Sequence, residues 1–345
     1  MSTYINEETG HDFVITALPC PSFVKEYLNY IISTKGLTEN TAIDYYKKVS
    51  EFLKWTQIRS DTNPNAEKLH SIDISKLSFD IVEEITVVDL NEYLSFCATI
   101  LKNSAATRAS KATVLRSFFH YYSVATRRLE RNPAEALIAP KKQKKLPKYL
   151  TYEECLQLVS QSREKHESEM PDRDFCMIVI FLSCGLRISE LVGINLSDIK
   201  DTTLKVHGKG KKEREVYLNN ACLKALDAYR AERALVKGSG TEPALFLSRR
   251  TGHRLTDRRV RAIAEQMLNE AGLGDMKYTV HTLRHSCATM LYNQGGADVL
   301  ELQRILGHSS PTVTEIYTHL SDRNIQRVMD NDLLDGSTTH DRPLT

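Results

Sequence analysis

The sequence predicts a mainly α chain with an N-terminal helical domain and a C-terminal mixed α/β domain, the latter mostly helical with a small antiparallel sheet. Three observations carry this. Apolar residues recur at i, i+3, i+4 and i+7 through most of the 345 residues, the period of a one-sided helix. Two neighbouring runs, 203–207 and 213–218, read instead as strands, with Gly208 and Gly210 allowing a turn between them. A stretch at 139–149 holds two prolines and five lysines and has no apolar period, which marks a domain boundary.

In chain order, residues 1–20 read as a loose tail. Pro21 suits the start of a helix; Phe23, Val24, Tyr27, Leu28, Ile31 and Ile32 share one face, and Gly36 stops it. Thr38 is a candidate cap for a second helix, with Ile43, Tyr46, Val49, Phe52 and Leu53 inward. From Arg59 to Phe79 the period breaks and Asp61-Thr62-Asn63-Pro64-Asn65 is turn chemistry, so an insertion is expected near 59–84. Helices follow at about 87–101 and from Ser104, the latter with Leu115, Phe118, Phe119 and Tyr122 buried. This sets a helical domain at 21–138, a basic linker at 139–149, a second domain at 150–320 and a terminal helix with its tail at 321–345. Thr151-x-x-Glu154 is a capping box that opens the second domain. An apolar helix is expected at 172–184, then the two strands, a helix from Asn220 to about Val236, a short strand at 245–247 and a helix from Asp257 to Ala271. Further helices are expected near 281–293, 298–306, 312–317 and 322–333.

The formal net charge is only +2, so bulk charge announces no nucleic-acid partner. Its distribution says more. Residues 61–92 carry eight acids against Lys68 and Lys76, whereas 249–261 carries six arginines against Asp257. Local basic patches on a near-neutral chain fit contact with DNA on chosen faces. The acidic stretch is expected to face away from the duplex. The seven cysteines are odd in number and lack CxxC spacing, which reads as buried thiols in a reducing compartment. With no signal-peptide pattern and no apolar run long enough to span a bilayer, a cytoplasmic protein without a membrane anchor is expected.

The chemistry-bearing residues come late. Gly185-Leu186-Arg187-Ile188-Ser189-Glu190-Leu191 is followed by His281-Thr282-Leu283-Arg284-His285, and then by Leu306-Gly307-His308 with Tyr317 nine residues beyond that histidine. Two arginines, two histidines and a tyrosine in this order describe a site that holds a phosphate and attacks it with a phenol oxygen. Arginine suits the task because its planar fork binds two phosphate oxygens and stays charged. His281 and Arg284 are three apart and share a helix face. A phenol has a pKa near ~10 and needs help to attack near neutrality.

With these residues the chain resembles the tyrosine recombinase, or phage integrase, family, and within it the Xer-type recombinases. The resemblance is strongest from about 150 to 327. It implies a core-binding domain followed by a catalytic domain, closing around duplex DNA. Arg187 and Arg284 match the phosphate-clamping arginines, His281 the general acid/base, His308 a second phosphate donor and Tyr317 the nucleophile. Lys209 matches the lysine that protonates the 5′-hydroxyl leaving group, with Lys211 and Lys212 as close rivals for that role or as phosphate contacts. Glu190 is expected to hold Arg187, and His285 to pack behind the site. Thr41, Tyr45, Lys47, Lys48, Arg108, Lys111 and Arg116 lie on helices that face DNA in the family, and Lys141, Lys142 and Arg214 join them as expected contacts.

The activity implied is site-specific recombination. Tyr317 forms a 3′-phosphotyrosyl link, the freed 5′-hydroxyl attacks the partner duplex, and exchange passes through a Holliday junction. The implied partners are double-stranded DNA with paired half-sites and three further copies of the chain, alone or with a second related recombinase or an activating partner. No metal, nucleotide or other cofactor is implied, because bond energy is kept in the phosphotyrosine. The task is dimer resolution on a chromosome or plasmid, or integration and excision of a mobile element. Two rivals stand beside it: a type IB topoisomerase sharing the chemistry, and a non-catalytic DNA-binding protein on the same scaffold.

Overall fold

The computed structural model describes residues 18–61, 64–141, 147–164, 166–208, 213–293 and 296–307. The chain divides into two compact units, 1–145 and 146–345. Residues 1–17 of the expected tail, the expected helices at 312–317 and 322–333, and Lys142, Lys209, Lys211, Lys212, His308 and Tyr317 lie outside the described residues.

The first unit is helical. Its long elements are α1 (Ser22–Ser33), α2 (Glu39–Thr56), α5 (Val87–Thr99) and α6 (Ala105–His120), with short helices α3 (Ala66–Ser71) and α4 (Asp80–Glu83) between. Phe23, Val24, Tyr27, Leu28 and Ile31 of α1 are buried at helical spacing against Val49, Phe52 and Leu53 of α2 and Leu115, Phe118 and Phe119 of α6. Edge-on rings join them: Tyr27 meets Phe118 at 5.2 Å between centroids, and Phe52 meets Tyr93 at the same distance. The 59–84 segment enters this core through Leu69, Ile74, Phe79 and Val82. Thr38 precedes α2 but its hydroxyl meets Thr41 Oγ1 at 2.9 Å and does not cap the helix. The α6 helix runs on as a π-helical turn, Tyr121–Ala125. The wider turn buries adjacent rings, so Tyr121 donates to Glu26 at 2.8 Å and Tyr122 to the Phe23 carbonyl.

The second unit is built around one helix. Its elements are α7 (Tyr152–Glu164), α8 (Pro171–Cys184), α9 (Ile188–Gly193), strands β1 (Ile199–Lys200), β2 (Thr203–His207) and β3 (Glu213–Tyr217), then α10 (Asn220–Ala234), α11 (Asp257–Glu270), α12 (Val280–Asn293) and α13 (Val299–Leu306). Every residue from Cys176 to Leu182 is buried, as expected of a helix covered on all sides. The sheet is antiparallel in the order β1-β2-β3, with Leu204 opposite Val216 and Val206 opposite Arg214. Leu204, Val206 and Val216 point into the core, which fixes the register. The 245–247 run forms no strand; Leu247 makes an isolated bridge to Arg254, and the preceding Ala244 one to Asn195. Buried side chains take its carbonyls instead, Tyr229 donating to Leu245 at 2.9 Å and Arg233 to Ala244 at 2.7 Å. The α11 helix is capped by Thr256, one residue before the expected Asp257.

Two interior features are polar or reactive. His166 sits with its side chain almost wholly buried between Asp174, at 3.0 Å, and Glu270, at 2.5 Å, and Arg173 pairs with Asp174 at 2.7 Å. All seven cysteines are buried and free. Among the described residues no helix is long and apolar enough to cross a membrane.

Candidate active site

The site begins where α8 stops. Gly185 has φ +59°, a left-handed conformation that ends the helix, and its amide still donates to Phe181 at 3.1 Å. An added Cβ there would lie 2.7 Å from Leu306 Cδ2 and 3.2 Å from Cys287 Sγ, so a side chain has no room. The chain turns at once into α9, with Arg187 at the cap position. Glu190 reaches back to the Arg187 amide at 2.8 Å, the acidic half of a capping box.

Glu190 is the centre of the cluster. Its side chain is 2 % exposed and faces three guanidinium groups. Arg187 Nη1 donates at 2.7 Å and Arg214 at 2.9 and 3.0 Å in a two-pronged pair, while Arg284 stands 3.7 Å away. Burial would raise the Glu190 carboxyl; the bonds from Arg214, then Arg187, outweigh it and hold it below the ordinary glutamate range. Three positive charges against one negative leave the cluster cationic, which suits an anionic ligand.

The same arginines cap a second helix. The last carbonyls of α13 have no partner within the helix. Arg214 Nε donates to Ile305 O at 3.0 Å, Arg284 Nη2 to Leu306 O at 2.7 Å and Arg187 Nη2 to Gly307 O at 3.3 Å. Arg284 Nη1 also donates to Gly185 O at 2.6 Å. Arg284 is therefore held firmly, its side chain 7 % exposed, whereas 38 % of the Arg187 side chain is open to solvent.

His281 lies one helical turn before Arg284 on α12 and is exposed. Partial burial and then Arg261, Arg284 and Arg187 disfavour its protonated form, so its pKa is lowered. A neutral imidazole at neutral pH can accept a proton. His285 is half-buried and lowered likewise by burial, Arg284 and His281. Among the described residues no group of three or more histidine, cysteine or acidic side chains is arranged to hold a metal.

A model of the phage integrase family matches residues 148–324. The chain belongs to the phage integrase family. Tyrosine recombinase XerC of Caldanaerobacter subterraneus subsp. tengcongensis is 37% identical over 318 residues, covering 92% of this chain and 88% of that protein. Tyrosine recombinase XerD of Proteus mirabilis is 33% identical over 307 residues, covering 86% and 95%. The chain is thus an enzyme of the tyrosine recombinase class. Solved structures share the fold: the XerH site-specific recombinase on its palindromic difH substrate has a TM-score of 0.66 at 22% identity, covering 91% of this chain and 98% of that one. A lambda integrase tetramer on a Holliday junction has a TM-score of 0.61 at 19% identity, covering 84% and 77%.

Of the residues expected at this recombinase's site, Arg187, Glu190 and Arg284 come together, with His281 a turn away on α12. Arg214, expected to touch DNA, is instead tied to Glu190 and Ile305, and its guanidinium is turned inward. Lys111, also expected on the DNA face, is corrected by its burial. Its side chain is 6 % exposed and its ammonium pairs with Glu51 and donates to Asn103 at 2.6 Å, since a buried cation must be matched by a counter-charge. Arg116 holds the Leu137 carbonyl through Nε at 3.1 Å. Lys48 is paired with Asp44 and donates to Ser110 at 2.9 Å. Thr41 and Tyr45 are half-buried, Tyr45 stacking on Tyr27 at 6.4 Å; the Arg108 Nε is buried without a hydrogen-bond partner among the described residues. Lys47 and Lys141 are exposed. Arg254 escaped the sequence reading: it donates to Val192 O at 2.5 Å and to Asn195 Oδ1 at 2.5 Å, fixing the end of α9. The arginine-rich run at 249–261 was its only signal.

Proposed function

We propose that this enzyme is a Xer-type recombinase that cuts and rejoins paired half-sites as a homotetramer, in the resolution of chromosome or plasmid dimers or the movement of a mobile element. The observation that carries the reading is the cationic cluster beside an imidazole of lowered pKa: Arg187 and Arg284 around Glu190, with His281 on the same helix as Arg284. The guanidiniums neutralise charge building on the nonbridging oxygens of the scissile phosphate. His281 exchanges the proton of the attacking phenol, Tyr317 forms the 3′-phosphotyrosyl bond as the bond from phosphorus to the 5′-oxygen breaks, and Lys209 protonates that oxygen to give the free 5′-hydroxyl. His308 adds a donor to the phosphate. The identity to XerC and XerD proteins across most of their length supports the Xer assignment.

The test is a suicide duplex nicked near the cleavage point. Wild type should be trapped as a detergent-resistant protein–DNA complex, and Tyr317→Phe should bind the duplex without forming it. A covalent band from Tyr317→Phe would move the nucleophile to another tyrosine, Tyr292 or Tyr278.

A further inference from the structure

All three guanidinium nitrogens of Arg214 are engaged in the fold. Both prongs meet Glu190, at 2.9 and 3.0 Å, and Nε meets Ile305 O at 3.0 Å. It is the second residue of β3, five residues after Lys209 in sequence. It also lies across the end of α13. Gly307 has φ +63°, and a Cβ there would come within 2.9 Å of Arg214 Nη1 and 3.1 Å of its Cδ and Cζ. The absence of a side chain at Gly307 is what lets this guanidinium lie against the chain immediately before His308.

We propose that Arg214 is a positioning residue for strand cleavage: it shares the Glu190 carboxylate with Arg187, so that this anion does not pull Arg187 and Arg284 further from the phosphate, and it holds the carbonyl of Ile305 near the end of α13. The charges explain why such a residue is needed. Glu190 is buried and its carboxylate offers two oxygens. With Arg214 removed, that carboxylate keeps its full charge and draws Arg284, 3.7 Å away in the intact cluster, and more of the Arg187 fork, of which one nitrogen is already bonded, toward itself, because a buried anion recovers lost pairing from whatever cation is within reach. At the same time Ile305 O loses its donor. The two phosphate-binding arginines then meet the substrate from the wrong place, and a small displacement is costly in a site that works by fixed geometry. Lysine cannot substitute, since one ammonium cannot make the planar fork to both oxygens and still reach Ile305 O.

The proposal rests on the recombinase reading of this site, and the experiment separates the two. Formation of covalent complex is followed at saturating suicide duplex, in full-length protein, for wild type, Arg214→Ala, Glu190→Gln and the double variant. Half-site affinity across a salt series and melting temperature are measured alongside. Arg214→Ala should slow the covalent step by about tenfold or more while affinity stays within about threefold, the signature of a loss confined to the reacting complex. In the Glu190→Gln background the same substitution should cost about threefold or less, because the two residues act through one another. Equal losses in both backgrounds would overturn the proposal. So would a salt slope lowered by about one, which means direct phosphate contact, or a wild-type rate with only the melting temperature reduced. If Arg214→Ala does not fold, Arg214→Lys decides: a wild-type rate with lysine overturns the proposal, and a slowed rate at an unchanged melting temperature supports it. A wild-type protein that forms no covalent complex would instead sink the reading of the site itself.

Discussion

Replacing Gly185 with alanine strikes the fold and the site at one point. The residue is held at φ +59°, and an L side chain in that conformation costs about 1–2 kcal/mol. The added Cβ has nowhere to go, with Leu306 Cδ2 at 2.7 Å and Cys287 Sγ at 3.2 Å. Overpacking of this kind typically costs about 1–3 kcal/mol. The sum is about 2–5 kcal/mol, a large part of the ~5–15 kcal/mol that holds a domain folded. Urea denaturation reads it, with a midpoint expected to fall by roughly 0.7–5 M given slopes of ~1–3 kcal/mol per molar. Trp55, the single tryptophan, lies in the first unit, so the transition of the second is followed by far-UV circular dichroism. Gly193→Ala is the control, since nothing stands within 4 Å of its Cβ and its φ is not positive; its midpoint should barely move. Cleavage by Gly185→Ala should fall further than stability alone explains, because the Gly185 carbonyl that holds Arg284 moves with the backbone. Equal midpoints for the two variants would refute the reasoning.

Lys111→Met should lower the stability of the first unit by about 1–3 kcal/mol, read by Trp55 fluorescence, because it removes the counter-charge of Glu51 and the donor to Asn103. Lys47→Ala should leave stability within about 0.5 kcal/mol and weaken half-site binding with a smaller salt slope; the reverse pattern would return Lys111 to the DNA face. The His166 cluster gives the second unit a pH dependence. Burial lowers His166, but its bonds to Asp174 and Glu270 outweigh this and raise its pKa, so its contribution is full below the unfolded value of ~6.5 and is lost as pH rises through the folded one. Asp174 is lowered, burial notwithstanding, by His166 and Arg173, so its contribution is present above ~3.9 and lost as pH falls through its folded value. The denaturation midpoint should therefore decline above pH ~6.5 in wild type and decline less in His166→Gln; identical slopes would remove the cluster from the account. For cleavage, burial together with Arg261, Arg284 and Arg187 places the acid limb of the rate profile below pH ~6.5. Arg261→Ala should shift that limb upward, and a limb insensitive to both Arg261→Ala and His281→Gln would belong to another group.

What could be read in advance was local. The apolar run of α8 and the glycine that ends it are adjacent in sequence, and so are Arg187 and Glu190, whose spacing puts them within one turn. The small sheet was legible because its two main strands lie close in sequence and pair with one another. Arg214 was not legible as a partner of Glu190, from which it is separated by 24 residues and a strand crossing. Its neighbours Lys211 and Lys212 made it look like part of a basic tip. Lys111 carried a signal that its charge concealed. It precedes Leu115 by four residues and Phe118 by seven, which sets it on the inward stripe of α6. Its partner Glu51 lies 60 residues earlier, beyond the reach of any helical period. The 245–247 run failed in the opposite sense. Three apolar residues looked like a strand, but the buried Tyr229 and Arg233 take the Leu245 carbonyl and the buried Arg173 that of Leu247, which a sheet would have used.

The burial of every thiol turns the cysteines into a clock. Cys20 and Cys97 lie in the first unit and the other five in the second, and none presents sulfur to solvent in the folded chain. An alkylating reagent therefore finds nothing to modify until a unit opens, and the number of adducts per molecule names the unit that opened: two for the first, five for the second. The mass of a briefly exposed sample thus reports how often each half of the enzyme lets go of its core, on and off DNA, with no residue substituted.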